Sequence, residues 1–395
     1  MFNLMNIKSM LEHHGNFHLN LKVIHVGGTN GKGSTSLMIQ NILIAAGFQV
    51  GIYTSPFDMG RFDNININHQ EISRDDVVSM NARYQPDFER FQLTPFEIDT
   101  FLALAYFHDQ HVDYAVIEVG LGGKDDATNV VMPILSVITN IGLDHQDVLG
   151  YGYANVADKK SGIIKEGIPV VLGFDINQEA DEVIESYAYS KKSRIYRVKP
   201  YQIINQDSHI NMLYQEHMYH LNTIASYQAR NASLAIEVAR TLQTLGIYIT
   251  LDHIREGIQM GVPPKRFQIL SKSPMIIIDG AHNQEGIERL VESIKNLNLK
   301  SDIRVIAAIL KDKPYQEMIK HLLTLTPDVT LTTFEHERAL DLSTFSHPEV
   351  KIDFDYHHVL DSIQDHQDAV HLITGSLYFL AHVVNALKGK IPYEK

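Results

Sequence analysis

Residues 27–35 read Gly27-Gly28-Thr29-Asn30-Gly31-Lys32-Gly33-Ser34-Thr35, between the apolar run KVIHV (22–26) and a helical pattern from Lys32 to Ala46. Glycines in such a turn let backbone N–H groups converge on an anion, and the helix N-terminus adds a partial positive charge. Lys32 can reach the terminal phosphates of a nucleotide, and Ser34 or Thr35 offers a hydroxyl nearby. The spacing differs from a strict Walker A motif, because Gly33 separates Lys32 from the hydroxyl. We expect a phosphate-binding loop; the alternative is a turn that only connects strand to helix.

Strand and helix patterns alternate beyond this loop. The expected elements are the strands QVGIYT (49–54), YAVIEV (114–119), ILSVIT (134–139) and PVVLGF (169–174), a helix over 97–110 and a helix from Thr223 to Leu245. Residues 195–220 are more polar and hard to assign. Alternation of this kind predicts βαβ units and a mostly parallel, doubly wound sheet, hence an α/β fold.

A break in the pattern occurs at Gly261-Val262-Pro263-Pro264-Lys265, where paired prolines cannot continue a helix. The alternation then resumes with PMIIID (274–279), a helix over 284–297, IRVIAAI (303–309), VTLTTF (329–334) and HLITG (371–375) followed by the helix SLYFLAHVVNALK. We therefore predict two domains, residues 1–263 and a smaller α/β domain of residues 264–395.

The composition excludes several classes of function. The 395 residues carry a formal net charge of −13, which argues against nucleic acid or an anionic membrane as the main partner. The chain has no cysteine, so thiolate nucleophiles and cysteine-ligated zinc or iron–sulfur sites are excluded. We find neither a secretory signal pattern nor a run of about 18 apolar residues. The expectation is a soluble, cytoplasmic protein with no nucleic-acid or membrane partner.

Acidic and histidine side chains at strand ends suggest a metal site. Glu118 lies in the apolar strand YAVIEVG, and a buried carboxylate needs a partner or a metal. Mg²⁺ prefers oxygen ligands, so Glu118 is its candidate ligand; capping by the backbone of residues 120–123 is the alternative. That glycine-rich turn lacks G-x-G-x-x-G spacing, which argues against a dehydrogenase. His145 follows another strand and is a second candidate ligand, although single histidines are often structural.

Two further turns have both a structural and a functional interpretation. The segment Asp279-Gly280-Ala281-His282-Asn283 ends a strand and enters a helix, so it either caps that helix or contacts a nucleotide. The segment Thr94-Pro95-Phe96-Glu97 is typical of a helix start, with proline in the first turn and an acid favoured by the helix dipole.

Five motifs, in this order, resemble the folylpolyglutamate synthase/dihydrofolate synthase family, a branch of the Mur ligase superfamily: GTNGKGS, TPFE (94–97), GLGG with DATN (126–129), LDH (143–145) and DGAHN (279–283). The resemblance implies a phosphate-loop, parallel-sheet ATPase domain like the Mur ligase central domain, and a smaller Rossmann-like C-terminal domain. It implies an ADP-forming carbon–nitrogen ligase that adds L-glutamate to a folate or dihydropteroate carboxylate through an acyl phosphate. ATP would be the co-substrate and Mg²⁺ the cofactor, and a monomer fits the family.

The resemblance also implies site residues. ATP would contact Asn30, Gly31, Lys32, Gly33, Ser34 and Asn231, with Arg266 and Asp279 from the second domain. Ser55, Glu118 and His145 would bind metal. Folate would contact Thr94, Phe96, Glu97, Asp126 and Ala127, and glutamate would contact His282, Asn283 and Ser376. Catalytic roles would fall to Lys32, His145 and Lys160, which lies where the family carries a carbamylated lysine; an ordinary solvated Lys159–Lys160 pair is the alternative.

Departures from the family pattern leave the acceptor open. After Ser55-Pro56 the chain reads Phe57-Asp58 and later Asp63-Asn64, where the family has His-Leu and Glu-Arg. Lys124-Asp125 replaces Arg-Leu, and Lys159 replaces Glu. A Mur-type ligase acting on a non-folate carboxylate is therefore the second hypothesis, and a nucleotide-dependent switch the third. The sequence leaves open whether the product is dihydrofolate, polyglutamate or both, how long any tail grows, and the oligomeric state.

Overall fold

The structure is a computed structural model that describes residues 4–55, 64–206 and 208–389. It contains two compact units. The first comprises Met1–Gln202, Asn211–Leu221 and Gln228–Gly261, and the second Ile203–Ile210, Asn222–Tyr227 and Val262–Lys395. None of the helices formed by the described residues has the length and apolar character needed to span a bilayer.

The first unit is built on a mainly parallel sheet. Its strands are β1 (Val23–Gly27), β2 (Val50–Tyr53), β3 (Ile65–Ile67), β4 (Gln70–Glu71), β5 (Tyr114–Glu118), β6 (Pro133–Ile138), β7 (Val170–Leu172) and β8 (Ile195–Arg197). Their order across the sheet is β4-β3-β2-β5-β1-β6-β7-β8. Strands β3 and β4 pair antiparallel at one edge, and the pairs from β2 to β8 are parallel. Because β1 is central and buried along its whole length, the loop that follows it emerges from the middle of the sheet edge.

Helices surround this sheet. They are α1 (Met5–His13), α2 (Lys32–Ala45), α3 (Arg74–Arg90), α4 (Pro95–Asp109), α5 (Gln146–Leu149), α6 (Tyr153–Ser161), α7 (Gln178–Ser190), α8 (Gln228–Thr244) and α9 (Leu251–Gln259). The predicted helix from Thr223 was wrong over its first five residues, since α8 begins at Gln228. The Thr223 hydroxyl accepts the Ala225 N–H at 3.2 Å, a local hydrogen bond that competes with helix formation.

The polar region that sequence patterns left unassigned contains further strands. They are β9 (Tyr201–Gln206), β10 (Ile210–Tyr214) and β11 (His217–Leu221), which form a three-stranded sheet. Residues of β10 alternate between buried and half-buried positions, so one face of this strand, with Ile210, Met212 and Tyr214, is buried.

The second unit is a smaller α/β fold. Its strands are β12 (Gln268–Lys272), β13 (Met275–Asp279), β14 (Ile303–Ala307), β15 (Val329–Leu331), β16 (Lys351–Ile352) and β17 (Val370–Thr374), in the order β12-β13-β17-β14-β15-β16. Its helices are α10 (Gln284–Asn296), α11 (Tyr315–Leu323), α12 (Tyr356–Asp361) and α13 (Leu377–Leu387). Only β12 pairs antiparallel among these described strands. The prediction of two α/β folds with mainly parallel sheets is confirmed.

Candidate active site

The phosphate-binding loop leaves β1 at Gly27 and enters α2 at Lys32. Gly28 and Gly31 have φ angles of 141° and 80°, conformations that L side chains rarely adopt. A Cβ at Gly28 would collide with the Thr139 hydroxyl, and a Cβ at Gly31 would collide with the Asn231 side-chain oxygen. The loop therefore requires glycine at both positions for backbone conformation and for space.

Two residues that follow β6, Thr139 and Asn140, form hydrogen bonds with this loop. The Asn140 side-chain oxygen accepts the N–H groups of Thr29 and Asn30 at 3.2 and 2.8 Å, and the Thr139 hydroxyl donates to the Asn30 carbonyl at 2.6 Å. The first N–H groups of a helix have no partner within the helix, so those of Lys32, Gly33 and Ser34 form its anion-binding end. The arrangement can accept the phosphates of a nucleotide, as the motif predicted.

The buried carboxylate of Glu118 faces the start of α2. Glu118 ends β5, is 3% exposed, and has an oxygen 3.9 Å from the Lys32 Nζ. Its other oxygen accepts the Ser55 N–H at 3.4 Å. The Lys32 Nζ also donates to the Thr29 carbonyl at 3.3 Å. Lys32, Glu118 and Ser55, which the sequence places far apart, therefore meet beside the phosphate loop.

Lys160 also reaches this loop. Its side chain is 4% exposed and its Nζ donates to the Gly28 carbonyl at 2.7 Å. Burial, together with the positive charge of Lys32, lowers the pKa of Lys160 to about 7. The alternative of an ordinary solvated lysine pair is wrong for this residue.

His145 lies beside an acidic neighbour at the same sheet edge. It directly precedes α5 with a φ of 52°, and its Nε2 is 3.9 Å from the Asp144 carboxylate. The Asp144 charge in turn acts on Lys160 and favours its protonated form. This places Asp144 in the electrostatic environment of the loop, while a metal-binding role for His145 stays a prediction.

Asn231 is the residue of α8 that meets the phosphate loop. Its Nδ2 donates to the Gln228 side-chain oxygen at 2.8 Å, and the Gln228 Nε2 donates to the Ser34 hydroxyl at 3.4 Å. Two side chains of α8 thus contact or closely approach the loop and the first turn of α2.

A cavity of about 790 Å³ lies in the first unit. It brings together all five residues predicted to contact the acceptor: Thr94, Phe96, Glu97, Asp126 and Ala127. The described part of its wall also contains Leu4, Asn6, the turn 120–123, Asp125, residues 147–149 and Lys159. Gly120 lets the Phe96 ring approach, because a Cβ there would collide with it. The helix-start interpretation of the segment TPFE is confirmed, since Thr94 and Glu97 form the capping box of α4, whereas a contact with folate stays a prediction.

Asp126 is held rigidly in the cavity wall. Its carboxylate accepts the Leu121 N–H at 2.8 Å and the Thr128 N–H at 3.0 Å, and it also accepts the Thr128 hydroxyl. The N–H of Leu121 in the glycine-rich turn therefore donates its hydrogen bond to Asp126. Burial raises the pKa of Asp126, and these hydrogen bonds oppose the shift.

His25 on β1 extends this network. Its Nε2 lies 2.9 Å from the Thr128 hydroxyl, and burial lowers its pKa to about 3, so the ring is neutral near pH 7. Because the Thr128 hydroxyl donates to Asp126, it accepts from His25, which requires Nε2 to carry the proton. The strand that leads into the phosphate loop thus also fixes a carboxylate of the cavity.

In the second unit, Asp279 ends β13 and is fully enclosed by donors. Its carboxylate accepts the Tyr227 hydroxyl at 2.5 Å and the N–H groups of Phe267 and Ala281 at 2.8 Å. Burial raises the pKa of Asp279, while Tyr227 and the charge of Arg266 lower it. The Arg266 guanidinium donates to the Gly280 carbonyl at 3.3 Å. The predicted ATP contacts of this unit therefore form one local cluster.

The residues predicted to contact glutamate lie after two adjacent strands, β13 and β17. Asn283 caps α10 through the Gly286 N–H at 2.8 Å, and Ser376 caps α13 through the Tyr378 N–H at 3.2 Å. His282 lies 2.8 Å from the Gly280 carbonyl through Nδ1, which therefore carries a proton. The capping interpretation of Asn283 is confirmed, whereas a contact of any of the three with glutamate stays a prediction.

Comparison with known proteins finds two family models, one for each of the two main parts of the chain. The Mur ligase middle domain matches residues 26–239, and the Mur ligase, glutamate ligase domain matches residues 265–376. The dihydrofolate synthase/folylpolyglutamate synthase of Bacillus subtilis (strain 168) is 35% identical, over 98% of this chain and 95% of its own length. The folylpolyglutamate synthase of Lacticaseibacillus casei is 35% identical, over 97% and 94%. The chain belongs to the folylpolyglutamate synthase/dihydrofolate synthase family of Mur ligases.

A solved member of this family is also similar in three dimensions. The FPGS–AMPPCP–folate complex has a TM-score of 0.86 and 34% identity, covering 98% of this chain and 96% of its own. The resemblance found in the motifs and the two-domain Mur ligase fold are both confirmed. The departure from the family at Phe57 to Asp63 lies outside the described residues.

Sequence patterns missed several residues of this Mur ligase site. Thr139 and Asn140 follow β6 and were visible only as polar residues at a strand end. His25 was visible as a polar residue inside an apolar strand, and Thr128 as part of DATN. Neither signal indicates which partner the side chain meets, because His25 and Thr128 are 103 residues apart.

Proposed function

We propose that this protein is an ADP-forming ligase that joins L-glutamate to the carboxylate of a folate or dihydropteroate. The observation that supports this function is that the cavity and the phosphate-binding loop are lined by neighbouring residues. The turn 120–123 and Lys159 line the cavity, while the adjacent Lys160 donates to Gly28 in the phosphate loop. An acid held in the cavity would therefore lie next to the terminal phosphate of a nucleotide held by the loop.

The reaction has two steps. An oxygen of the acceptor carboxylate forms a bond to the γ-phosphorus of ATP as the bond to ADP breaks, which gives an acyl phosphate. The glutamate ammonium loses a proton to solvent, and the neutral amine attacks the carbonyl carbon. The C–N bond forms as the C–O bond to phosphate breaks, and inorganic phosphate leaves with the second amine proton. Lys32 and the N–H groups of residues 32–34 neutralise charge on the transferred phosphoryl group, and catalysis is mainly positioning.

The side chains beside the loop suit Mg²⁺. The Glu118 carboxylate is buried at the entrance of the loop, and the Ser55 N–H lies within 3.4 Å of its oxygen. Carboxylate and hydroxyl oxygens are the donors that Mg²⁺ prefers, so Glu118 and Ser55 would hold it, with His145 at a second metal. The bound metal would neutralise phosphate charge.

Lys160 is carbamylated in this proposal. Its pKa of about 7 leaves a large fraction of the amine neutral at neutral pH, and only a neutral amine adds CO₂. The new N–C bond replaces an N–H bond, the proton goes to solvent, and a cation becomes an anion. The modified side chain would then attract a metal that the ammonium repels.

The remaining substrate contacts follow the predicted sets. Thr94, Phe96, Glu97, Asp126 and Ala127 bind the acceptor, which their shared position in one cavity supports. The second unit contributes Arg266 and Asp279 to ATP binding, and His282, Asn283 and Ser376 to glutamate binding. The enzyme works as a monomer in the cytoplasm.

The test is an assay of the purified full chain with ATP, Mg²⁺ and L-glutamate against dihydropteroate, tetrahydrofolate and non-folate acids. We expect ADP, phosphate and a new amide product with a folate-type acceptor. Glu118→Ala should have no detectable turnover and Lys32→Ala should lose phosphoryl transfer, with a fall of about 10²- to 10³-fold. The exposed Glu12→Ala is the control. Amide formation only with a non-folate acid, or nucleotide binding with no amide product, would refute the proposed function.

A further inference from the structure

The cavity wall has an uneven distribution of charge. Four carboxyl side chains line it: Glu97, Asp125, Asp126 and Asp147. Among the described residues of this wall, Lys159 is the only lysine or arginine. An anionic group of a ligand in this cavity can therefore form an ion pair with one basic side chain of the described wall, that of Lys159.

The backbone of Lys159 is held in place beside a residue that contacts the phosphate loop. Its backbone carbonyl accepts the Lys124 N–H at 2.8 Å, and its Cβ lies close to Gly122 in the glycine-rich turn. Its neighbour Lys160 donates to Gly28 of the loop. The backbone of Lys159 is thus fixed in the cavity wall, and the next residue along the chain contacts the phosphate loop.

The Lys159 ammonium is oriented by an acid of the same wall. Its Nζ donates to the Asp125 carboxylate at 2.8 Å, and its side chain remains 35% exposed. A lysine ammonium has three N–H donors, and this contact uses one of them. The other two can serve a ligand.

The two acceptors of the proposed reaction differ in charge near this position. Dihydropteroate has one carboxylate, which reacts. A folate differs from dihydropteroate in that it already carries a glutamate. This glutamate has a reacting γ-carboxylate and a second, non-reacting α-carboxylate. The second carboxylate would be repelled by four acids unless a cation meets it.

We propose that Lys159 binds the non-reacting carboxylate of a glutamylated folate, and that Asp125 orients it for this contact. The inference rests on the proposed function and makes Lys159 a specificity residue for glutamylated acceptors. The competing interpretation is an ordinary exposed ion pair, which typically contributes about 0–1 kcal/mol and has no effect on substrate choice.

The experiment compares the full chain with Lys159→Met and Lys159→Arg, using dihydropteroate and tetrahydrofolate monoglutamate as acceptors. A charge-assisted hydrogen bond corresponds to about a ten- to hundredfold change in affinity. We expect Lys159→Met to raise KM for the glutamylated acceptor by that factor, with little change in kcat or in KM for dihydropteroate. Lys159→Arg should retain part of the affinity because the charge remains.

Lys124→Met is the matched control, because Lys124 pairs with Asp158 at 3.6 Å and is not part of the described cavity wall. It should leave both KM values unchanged. If Lys159→Met does not fold, Asp125→Asn provides the second test, with a smaller rise in the same KM. If the wild-type enzyme uses the glutamylated folate but not dihydropteroate, KM for dihydropteroate cannot serve as the reference. KM for ATP then takes its place, and it should be unchanged in Lys159→Met.

Equal KM changes for both acceptors, or none, would overturn the role of Lys159 while leaving the proposed function intact. A wild-type enzyme that accepts only dihydropteroate would also overturn it. Failure of the wild-type protein to use either acceptor would instead refute the proposed function, so the two failures are distinguishable.

Discussion

His25 shows how one buried side chain couples stability to pH. Burial lowers its pKa to about 3, against a value of about 6.5 in the unfolded chain. Between these values the unfolded state binds the extra proton and the folded state does not. The free energy of unfolding should therefore fall as pH decreases below about 6.5, with a limiting slope of about 1.4 kcal/mol per pH unit from this residue.

Urea denaturation followed by circular dichroism at pH 7, 6 and 5 measures this slope. We expect His25→Gln to be less stable than wild type at pH 7, with a shallower loss of stability on acidification. The exposed His357→Gln should retain the wild-type slope. Identical slopes for wild type and His25→Gln would show that His25 accepts a proton in the folded state.

Individual site residues were predictable to different degrees. The position of Lys32 at a helix start beside the phosphate loop was predictable, because it follows from its own motif. Lys159 and Lys160 are adjacent, and the sequence alone allowed a solvated pair; the fold instead buries Lys160 against Gly28 and leaves Lys159 in the cavity wall. Such differences depend on packing between distant segments, which a motif does not encode.

Helix α2 is flanked by a glycine at each end, and a comparison of the two glycines tests whether the geometry of the phosphate loop controls nucleotide use. Gly31 before it and Gly47 after it have φ angles of 80° and 89°. A Cβ at Gly31 would collide with Asn231, whereas a Cβ at Gly47 would meet open space. Alanine at either position carries a similar left-handed strain, roughly 1–2 kcal/mol.

We therefore expect both Gly31→Ala and Gly47→Ala to lower the melting temperature, Gly31→Ala by the larger amount because of the added collision, and we expect only Gly31→Ala to impair catalysis. Displacement of the loop by about 1 Å can cost up to 10²-fold in rate, so Gly31→Ala should lower kcat/KM for ATP by at least about tenfold. Gly47→Ala should retain wild-type kinetics. Equal kinetic effects in the two variants would mean that general strain, and not the geometry of the loop, controls nucleotide use.

The elements that sequence patterns predicted share strong apolar periodicity or long β-branched runs. Strand β13 has three consecutive isoleucines, and α4 starts with a complete capping signal. Helix α3 was missed because it is mainly polar and contains Pro86. The strands β9–β11 were missed because their residues are largely exposed or half-buried, so tertiary pairing outweighs local preference there.

At the level of the whole molecule, the two units share one architecture. Each has a mainly parallel sheet whose strands end in loops with polar side chains, and ligands of open α/β sheets bind beyond such strand ends. The sequence motifs indicated both edges, because the loop 27–35 follows the apolar strand β1 and the segment 279–283 begins at the end of the apolar strand β13. The motifs TPFE and DATN indicated part of the cavity wall, but no motif indicated the wall residues near α1 and α6.

The proposal of a monomer leads to a prediction about mixed variants. The predicted ATP contacts Lys32 and Arg266 lie in different units of one chain. If a single chain supplies every residue of its site, then mixing Lys32→Ala with Arg266→Ala should give only the sum of their residual activities. If two chains shared a site, random pairing would restore about a quarter of wild-type activity, because half of the dimers would contain one intact site.

The measurement is phosphate release over a range of protein concentrations, after the two variants are mixed and equilibrated. A mixture of wild type with Lys32→Ala is the control, and it should show only the activity of its wild-type share. Specific activity should also stay constant on dilution, since a monomer has no assembly equilibrium. Recovery of activity in the mixed variants would place Arg266 and Lys32 of one site on different chains, and the proposal of a monomeric enzyme would have to be abandoned.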